Sequence, residues 1–203
     1  MTVVEEQLFW DEGPEPEYWD DAARRCVAAI YSSDLESLNT LKDIRVQLDY
    51  LISVGLGNSP RELVEEEFAD QWRIVGVIAR NAAKENNVLN YPDDPGSLVS
   101  ELTDLLIKKQ KDYGHDNINR FGRMGLLVRV HDKVARLENL TRRGVGPENE
   151  SLRDNYMDVI NYCAIGMMVE MGWFLLDLVN SDNANYPTVA EVAGGRKKIK
   201  KYK

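Results

Sequence analysis

The sequence predicts an all-α protein, a helical bundle of about six helices. Three observations predict it. Apolar residues recur at the 3.6-residue helical period along most of the 203-residue chain, no alternating β-branched run bounded by turns occurs, and Gly- and Pro-rich breaks divide the periodic segments.

The periodicity places helices at about 17–32, 35–54, 60–86, 96–112, 119–142 and 148–180. "GLGNSP" ends the second helix and sets Pro60 at the start of the third, where a missing N–H costs nothing. "NYPDDPGS" separates the third from the fourth. Gly114, behind a lysine-rich last turn, stops the fourth. "RRGVGPEN" separates the fifth from the sixth, with Gly144 past one end and Pro147 before the next. Short connections predict antiparallel packing of successive helices. The predicted organisation is an N-terminal helical region over 1–95 of unassigned role, a helical core over 96–180 and an irregular basic tail over 181–203.

At 43% hydrophobic and 29% charged residues, the chain reads as one soluble globular domain, long enough to bury a core without a disulfide or metal staple. Cys26 and Cys163 are the only cysteines, which excludes a zinc ribbon and fits a reduced, cytoplasmic protein. The opening "MTVVEEQLFWDEG" has no basic n-region, and the longest apolar stretch, "YCAIGMMV", is far short of a membrane span. The net charge of -9 is uneven: residues 1–21 hold eight acids and no Lys or Arg, whereas the closing "RKKIKKYK" holds six bases. A solvated end is the expected role of that tail, and contact with nucleic acid is its alternative.

The sixth helix carries the strongest chemical signal. Glu150, Asp154 and Asp158 are spaced four apart and Asn161 follows at three, so all four share one helix face. Stacked carboxylates repel unless a cation compensates them, and Mg2+ suits a few carboxylates, retained waters and a substrate phosphate. The alternative is an exposed acidic stripe favoured by the helix dipole, which is the expected reading of Glu150 alone. On the fifth helix Arg129, Asp132, Lys133 and Arg136 lie within two turns, opposite the apolar stripe of Leu127, Val130, Val134 and Leu137. Three bases beside one acid suit a polyphosphate, or form a solvated face of internal ion pairs.

Between these helices lies "KDYGHDN". Lys111, Asp112, Tyr113, Gly114, His115 and Asn117 surround the helix stop with donors, acceptors and one aromatic. A base-recognition loop, with Tyr113 stacking and Asp112, His115 and Asn117 reading the base edge, is expected, and a plain C-cap is the alternative. His131 is expected to pack at the edge of an apolar stripe. A competing acidic pair, Glu67 and Asp70, follows Glu62, Glu65 and Glu66 and reads chiefly as dipole compensation.

Taken as a set, the K-x-D-Y-G stretch (Lys109 or Lys111, Asp112, Tyr113, Gly114), then Asp132, Lys133, Arg136 and Leu137, then Glu150, Ser151, Asp154, Asp158, Asn161 and Tyr162, resembles the nucleotide modification associated domain 1 family, found widely in phage genomes. The resemblance covers about residues 100–165. That family is similar in layout to MazG-type all-α nucleoside triphosphate pyrophosphohydrolases, which implies a MazG-like core in the C-terminal half. The implied function is a Mg2+-dependent (deoxy)nucleotide pyrophosphohydrolase, or a related nucleotide-processing protein linked to phage DNA modification. Asp154 and Asp158, with Asp132 and Glu150, would hold the metal, and Lys133, Arg136 and Arg129 would neutralise the phosphates. This sequence departs from the pyrophosphohydrolase pattern: the E-x-x-E of helix five is replaced by Asp132-Lys133-x-x-Arg136. A non-catalytic nucleotide-binding or protein-interaction module is therefore the alternative. A homo-oligomer is expected, because a single acidic helix face in so small a bundle is often completed by a second copy.

Overall fold

The computed structural model describes residues 14–59, 62–89, 95–144 and 151–179. Among these residues there are seven α-helices and no strand: α1 (Trp19–Tyr31), α2 (Leu41–Gly55), α3 (Glu65–Glu85), α4 (Pro95–Tyr113), α5 (Asp116–Asn119), α6 (Gly122–Arg143) and α7 (Leu152–Glu170), then a single 3-10 turn, Trp173–Leu175. The predicted all-α bundle is correct. The Glu150 site, the "YPDD" boundary and the basic tail lie outside the described residues.

α2 begins six residues later than periodicity predicts, and the cause is distant in sequence. Asn81 on α3 donates to the carbonyls of Leu35 and Leu38 at 2.6 and 3.0 Å, holding that stretch in a loop. Beside it the buried Arg80 guanidinium donates to the carbonyls of Ile30, Tyr31 and Ser33, using orphan carbonyls at the end of α1. The helix starts where Thr40 and Asp43 form a reciprocal capping box. At the other end of the chain, α7 stops at Glu170 rather than near residue 180. Gly172 adopts φ 73°, a left-handed conformation only glycine takes without strain, and Trp173 and Phe174 turn back into the core.

α7 is the central helix. It packs against α3 and α6, against α1, and more lightly against α4. Thirteen of its residues are buried, so its apolar surface runs all the way round. The contacts also set directions. Trp72 meets Gly166 and Glu170 while Gly76 meets Cys163, so α3 runs antiparallel to α7. Lys133 to Asp158 and Arg123 to Glu170 make α6 antiparallel as well. Glu101 to Arg153 and Lys109 to Asp158 advance together, so α4 runs alongside α7 in the same sense. Packing therefore departs from chain order: α4 lies on α1 and α7. One hydrophobic cluster extends from Trp19 to Phe174, drawing on residues both before and after position 95.

The segment after α7 is strapped down at several points. Trp19 N–H donates to Asp177 O at 2.9 Å, Trp173 Nε1 donates to Glu15 Oε2 at 2.7 Å, and His115 Nε2 lies 3.1 Å from Leu176 O. The His115 ring also meets Phe174 edge-on, with centroids 5.6 Å apart. The strap thus ties the turn after α4 to the start of α1.

Candidate functional site

Asp158 lies where α4, α6 and α7 meet, and each of its oxygens accepts from a lysine. Lys109 Nζ on α4 donates to Oδ1 at 2.7 Å, and Lys133 Nζ on α6 lies 2.8 Å from Oδ2. The side chains of Asp158 and Lys133 are 14% and 19% exposed, whereas that of Lys109 is 41% exposed. Two ammonium groups share this one carboxylate, partly shielded from water, where a Coulomb interaction is stronger than at an open surface.

This ion cluster closes one end of an open cleft of about 480 Å3 between α4 and α7. Glu101, Leu105 and Lys109 form one wall; Arg153, Asp154, Met157 and Asp158 form the other. Arg153 NH2 donates to both oxygens of Glu101 at 2.7 and 2.8 Å across its far end. One turn along α7 from Asp158, Tyr162 faces α6, and the Arg129 guanidinium stands 5.9 Å from its ring centroid. Arg129 also donates to Asn117 Oδ1 at 2.8 Å, which brings α5 to the same corner.

The predicted site residues separate into groups. Asp158, Lys133, Arg129 and Asn117 are brought to this junction. Arg136 follows Lys133 by three residues on α6 and is half-buried. Asn161, three residues beyond Asp158, is 2% exposed. Asp154 lines the cleft, yet its Oδ2 also accepts from Ser151 N–H and Oγ at the start of α7. That hydroxyl first, and the Ser151 backbone after it, hold the Asp154 carboxyl below its ordinary range. Asp132 points to solvent, 75% exposed, 3.8 Å from the Nδ1 of His131.

Around "KDYGHDN" the side chains point in different directions. Gly114 is the helix C-cap, with φ 64° and its N–H donating to Gln110 O at 2.8 Å. Lys111, Asp112 and Tyr113 are exposed, Tyr113 to 66%. His115 turns inward to Leu176 and Phe174. The competing acidic pair is engaged locally: Glu67 accepts from Val64 N–H at 3.1 Å, and Asp70 pairs with Arg73 at 2.8 Å.

Two participants were underweighted at the level of sequence. Lys109, not Lys111, reaches Asp158, because it continues the inward face of α4 from Leu102 and Leu105 while Lys111 points outward. Tyr162 is the aromatic ring that stands at this junction, beside the Arg129 guanidinium.

The expected metal ligands make no three-member group of His, Cys, Asp or Glu among the described residues. Asp154 and Asp158 on one wall of the cleft and Glu101 on the other are its carboxylates. No helix among the described residues is long and apolar enough to cross a membrane.

No curated protein and no solved structure matches the chain, so the expected likeness in layout to the MazG-type enzymes is not borne out. A family model does match. Residues 109–169, which run from Lys109 through Lys133 and Asp158 to the end of α7, match the family described as nucleotide modification associated domain 1.

Proposed function

We propose that the α4–α6–α7 junction binds the phosphates of a nucleotide, and that the protein processes this nucleotide for nucleic-acid modification by releasing pyrophosphate or through related phosphate chemistry. The observation that carries this reading is the Lys109–Asp158–Lys133 cluster beside a cleft. Asp158 pairs with both ammonium groups. An incoming polyphosphate offers them several oxygens of higher charge. Lys109, the more exposed of the two, is free to swing toward it, while Lys133 stays anchored and Arg129 adds a planar donor nearby.

The same exchange releases the Asp158 carboxylate. Mg2+ arriving with the polyphosphate would supply charge neutralisation and a more acidic bound water, and Asp158 with Asp154 would hold it. The rival reading, nucleotide binding without turnover, is favoured by the fact that both Asp158 oxygens are already taken by lysines.

A panel of deoxynucleoside triphosphates with Mg2+, followed for pyrophosphate release, separates these readings. Release that Lys133→Ala abolishes supports the enzyme. Binding of nucleotides with no release on any of them leaves the binding module. Failure of the protein to bind either tripolyphosphate or nucleotides sinks both.

A further inference from the structure

The α4–α7 cleft has two charged ends and an apolar middle, and its volume of about 480 Å3 is that of a small-ligand site. Glu101, Leu105 and Lys109 stand at i, i+4 and i+8 on its α4 wall, so they share one helix face. The ends of that row are about 12 Å apart, at about 1.5 Å of rise per residue. On the α7 wall Arg153, Met157 and Asp158 follow in the same order, because the two helices run in the same sense. Lys109 and Asp158 thus mark the phosphate end and Glu101 and Arg153 the far end, with Leu105 and Met157 between. A nucleoside with its first phosphate has the same order of chemistry: an anion, a flat body with apolar faces, and a polar edge.

The far end is specific in what it offers. Arg153 Nη2 donates to both oxygens of Glu101 at 2.7 and 2.8 Å, and the two side chains are 39% and 50% exposed. An ion pair this open contributes little to stability, so the fold does not require it. The pair occupies one of the three guanidinium nitrogens, and each carboxylate oxygen keeps a second lone pair. The cleft is therefore offered a donor beside two acceptors. Cytosine presents that same row along its pairing edge: an amino group, a ring nitrogen and a carbonyl oxygen. The complement of the row is guanine, whose O6 accepts while N1–H and the N2 amino group donate. Adenine, thymine and cytosine each set at least one acceptor of that edge against a carboxylate oxygen.

We infer that Glu101 and Arg153 read the base of the bound nucleotide and select guanine, with Leu105 and Met157 against its faces. The inference rests on the phosphate-binding reading above, since the base reaches the far end only when Lys109 and Lys133 hold the phosphates. Glu101 accepts from N1–H and the N2 amino group, and Arg153 donates to O6, as arginine does to guanine in a DNA groove. A site built to hydrogen-bond one base discriminates against another that leaves its polar groups unpaired.

The test is equilibrium binding of dGTP, dITP, dATP, dCTP, dTTP and inorganic tripolyphosphate to the unaltered protein and to Glu101→Gln, with a chelator present to prevent metal-dependent turnover. The unaltered protein is expected to hold dGTP about tenfold tighter, or more, than dATP, dCTP or dTTP. It should also favour dGTP over dITP, which lacks only the N2 amino group, and that comparison needs no variant. Glu101→Gln puts a donor where an acceptor stood, and should bring all five nucleotides to within about twofold of one another. Its tripolyphosphate affinity should stay within about twofold of the parent, because a charge about 12 Å away is largely screened. Thermal melts should show the variant as stable as the parent, since Glu101 is half exposed. Tripolyphosphate binding with no preference for dGTP overturns the inference and leaves the phosphate site standing. A preference that Glu101→Gln leaves unchanged does the same, as does equal binding of dGTP and dITP. Absence of both tripolyphosphate and nucleotide binding removes the phosphate site and this inference with it.

Discussion

Lys133 Nζ stands 2.8 Å from Oδ2 of Asp158, and the two side chains keep only 19% and 14% of their surface in water. Lys109 occupies the other oxygen from a more exposed position. Asp158→Asn therefore has two opposed expected effects. Stability falls by about 1–3 kcal/mol in urea titrations, because Lys133 loses its counter-charge while remaining largely shielded. Metal-free tripolyphosphate binding strengthens in calorimetry, because two lysines no longer share one carboxylate. A folded Asp158→Asn protein that binds tripolyphosphate more weakly would show that this cluster does not face the anion.

Gly166 tests the packing beneath the site. A Cβ built there would overlap Trp72 Cδ2 and lie 2.6 Å from its Cε2, against a fully buried indole. Trp72 cannot retreat freely, since its Nε1 donates to Glu170 at 3.2 Å. Gly166→Ala is expected to cost about 1–3 kcal/mol through overpacking, read as a fall in Tm. An unchanged Tm would mean that α3 and α7 separate with ease.

Glu170 accepts from Arg123 Nε at 2.7 Å and from Trp72, and its own side chain is 4% exposed. The Arg123 guanidinium also lies over the Phe68 ring, 3.6 Å from its centroid. Glu170→Ala strands the guanidinium and the indole N–H, at an expected cost of about 2–4 kcal/mol, reduced from the fully buried case because Arg123 is 33% exposed. Glu170→Gln keeps an acceptor for Trp72 and should cost clearly less. Equal losses for the two variants would assign the effect to lost packing.

Acid sensitivity is expected at three carboxylates. Hydrogen bonds from Thr40 to Asp43, from Arg45 to Glu138 and from Ser151 to Asp154 hold each of them below the ordinary carboxylate range. A lowered folded value contributes stability above the unfolded value and loses it as pH falls through the folded one. Stability should therefore be level near neutrality and decline below about pH 4. Ser151→Ala removes the cap at a cost of about 0.5–2 kcal/mol at pH 7. Its deficit relative to the parent should narrow on acidification, as thermal melts across pH would record. A deficit independent of pH would place the loss in the hydroxyl alone.

Most of the helical architecture was legible because it depends on local features. Gly114 and Gly144 end α4 and α6 where a left-handed residue is needed, and the apolar period marks the faces between them. What stayed hidden depended on distant partners. Nothing near Leu35 shows that Asn81 will claim its carbonyl. The acid stripe of α7 was visible, but the partners of Asp158 come from two other helices, and a choice between Lys109 and Lys111 needs the rotation of α4 about its own axis. The inward turn of His115 depends on Leu176, 61 residues later.

The family match and the physical unit do not share boundaries. Thirteen residues of α7 are buried, and the helix it packs against most extensively, α3, lies wholly outside 109–169, as do α1 and the strap that grips His115. Excised at those limits, the segment would turn Cys163, Gly166 and Met167 out to water and lose Trp72 from beside Glu170. The chemically suggestive residues are thus a passenger on a larger scaffold. Transplanting them into another protein would require carrying α1 and α3 as well, even though those two helices contribute no side chain to the lysine–aspartate cluster.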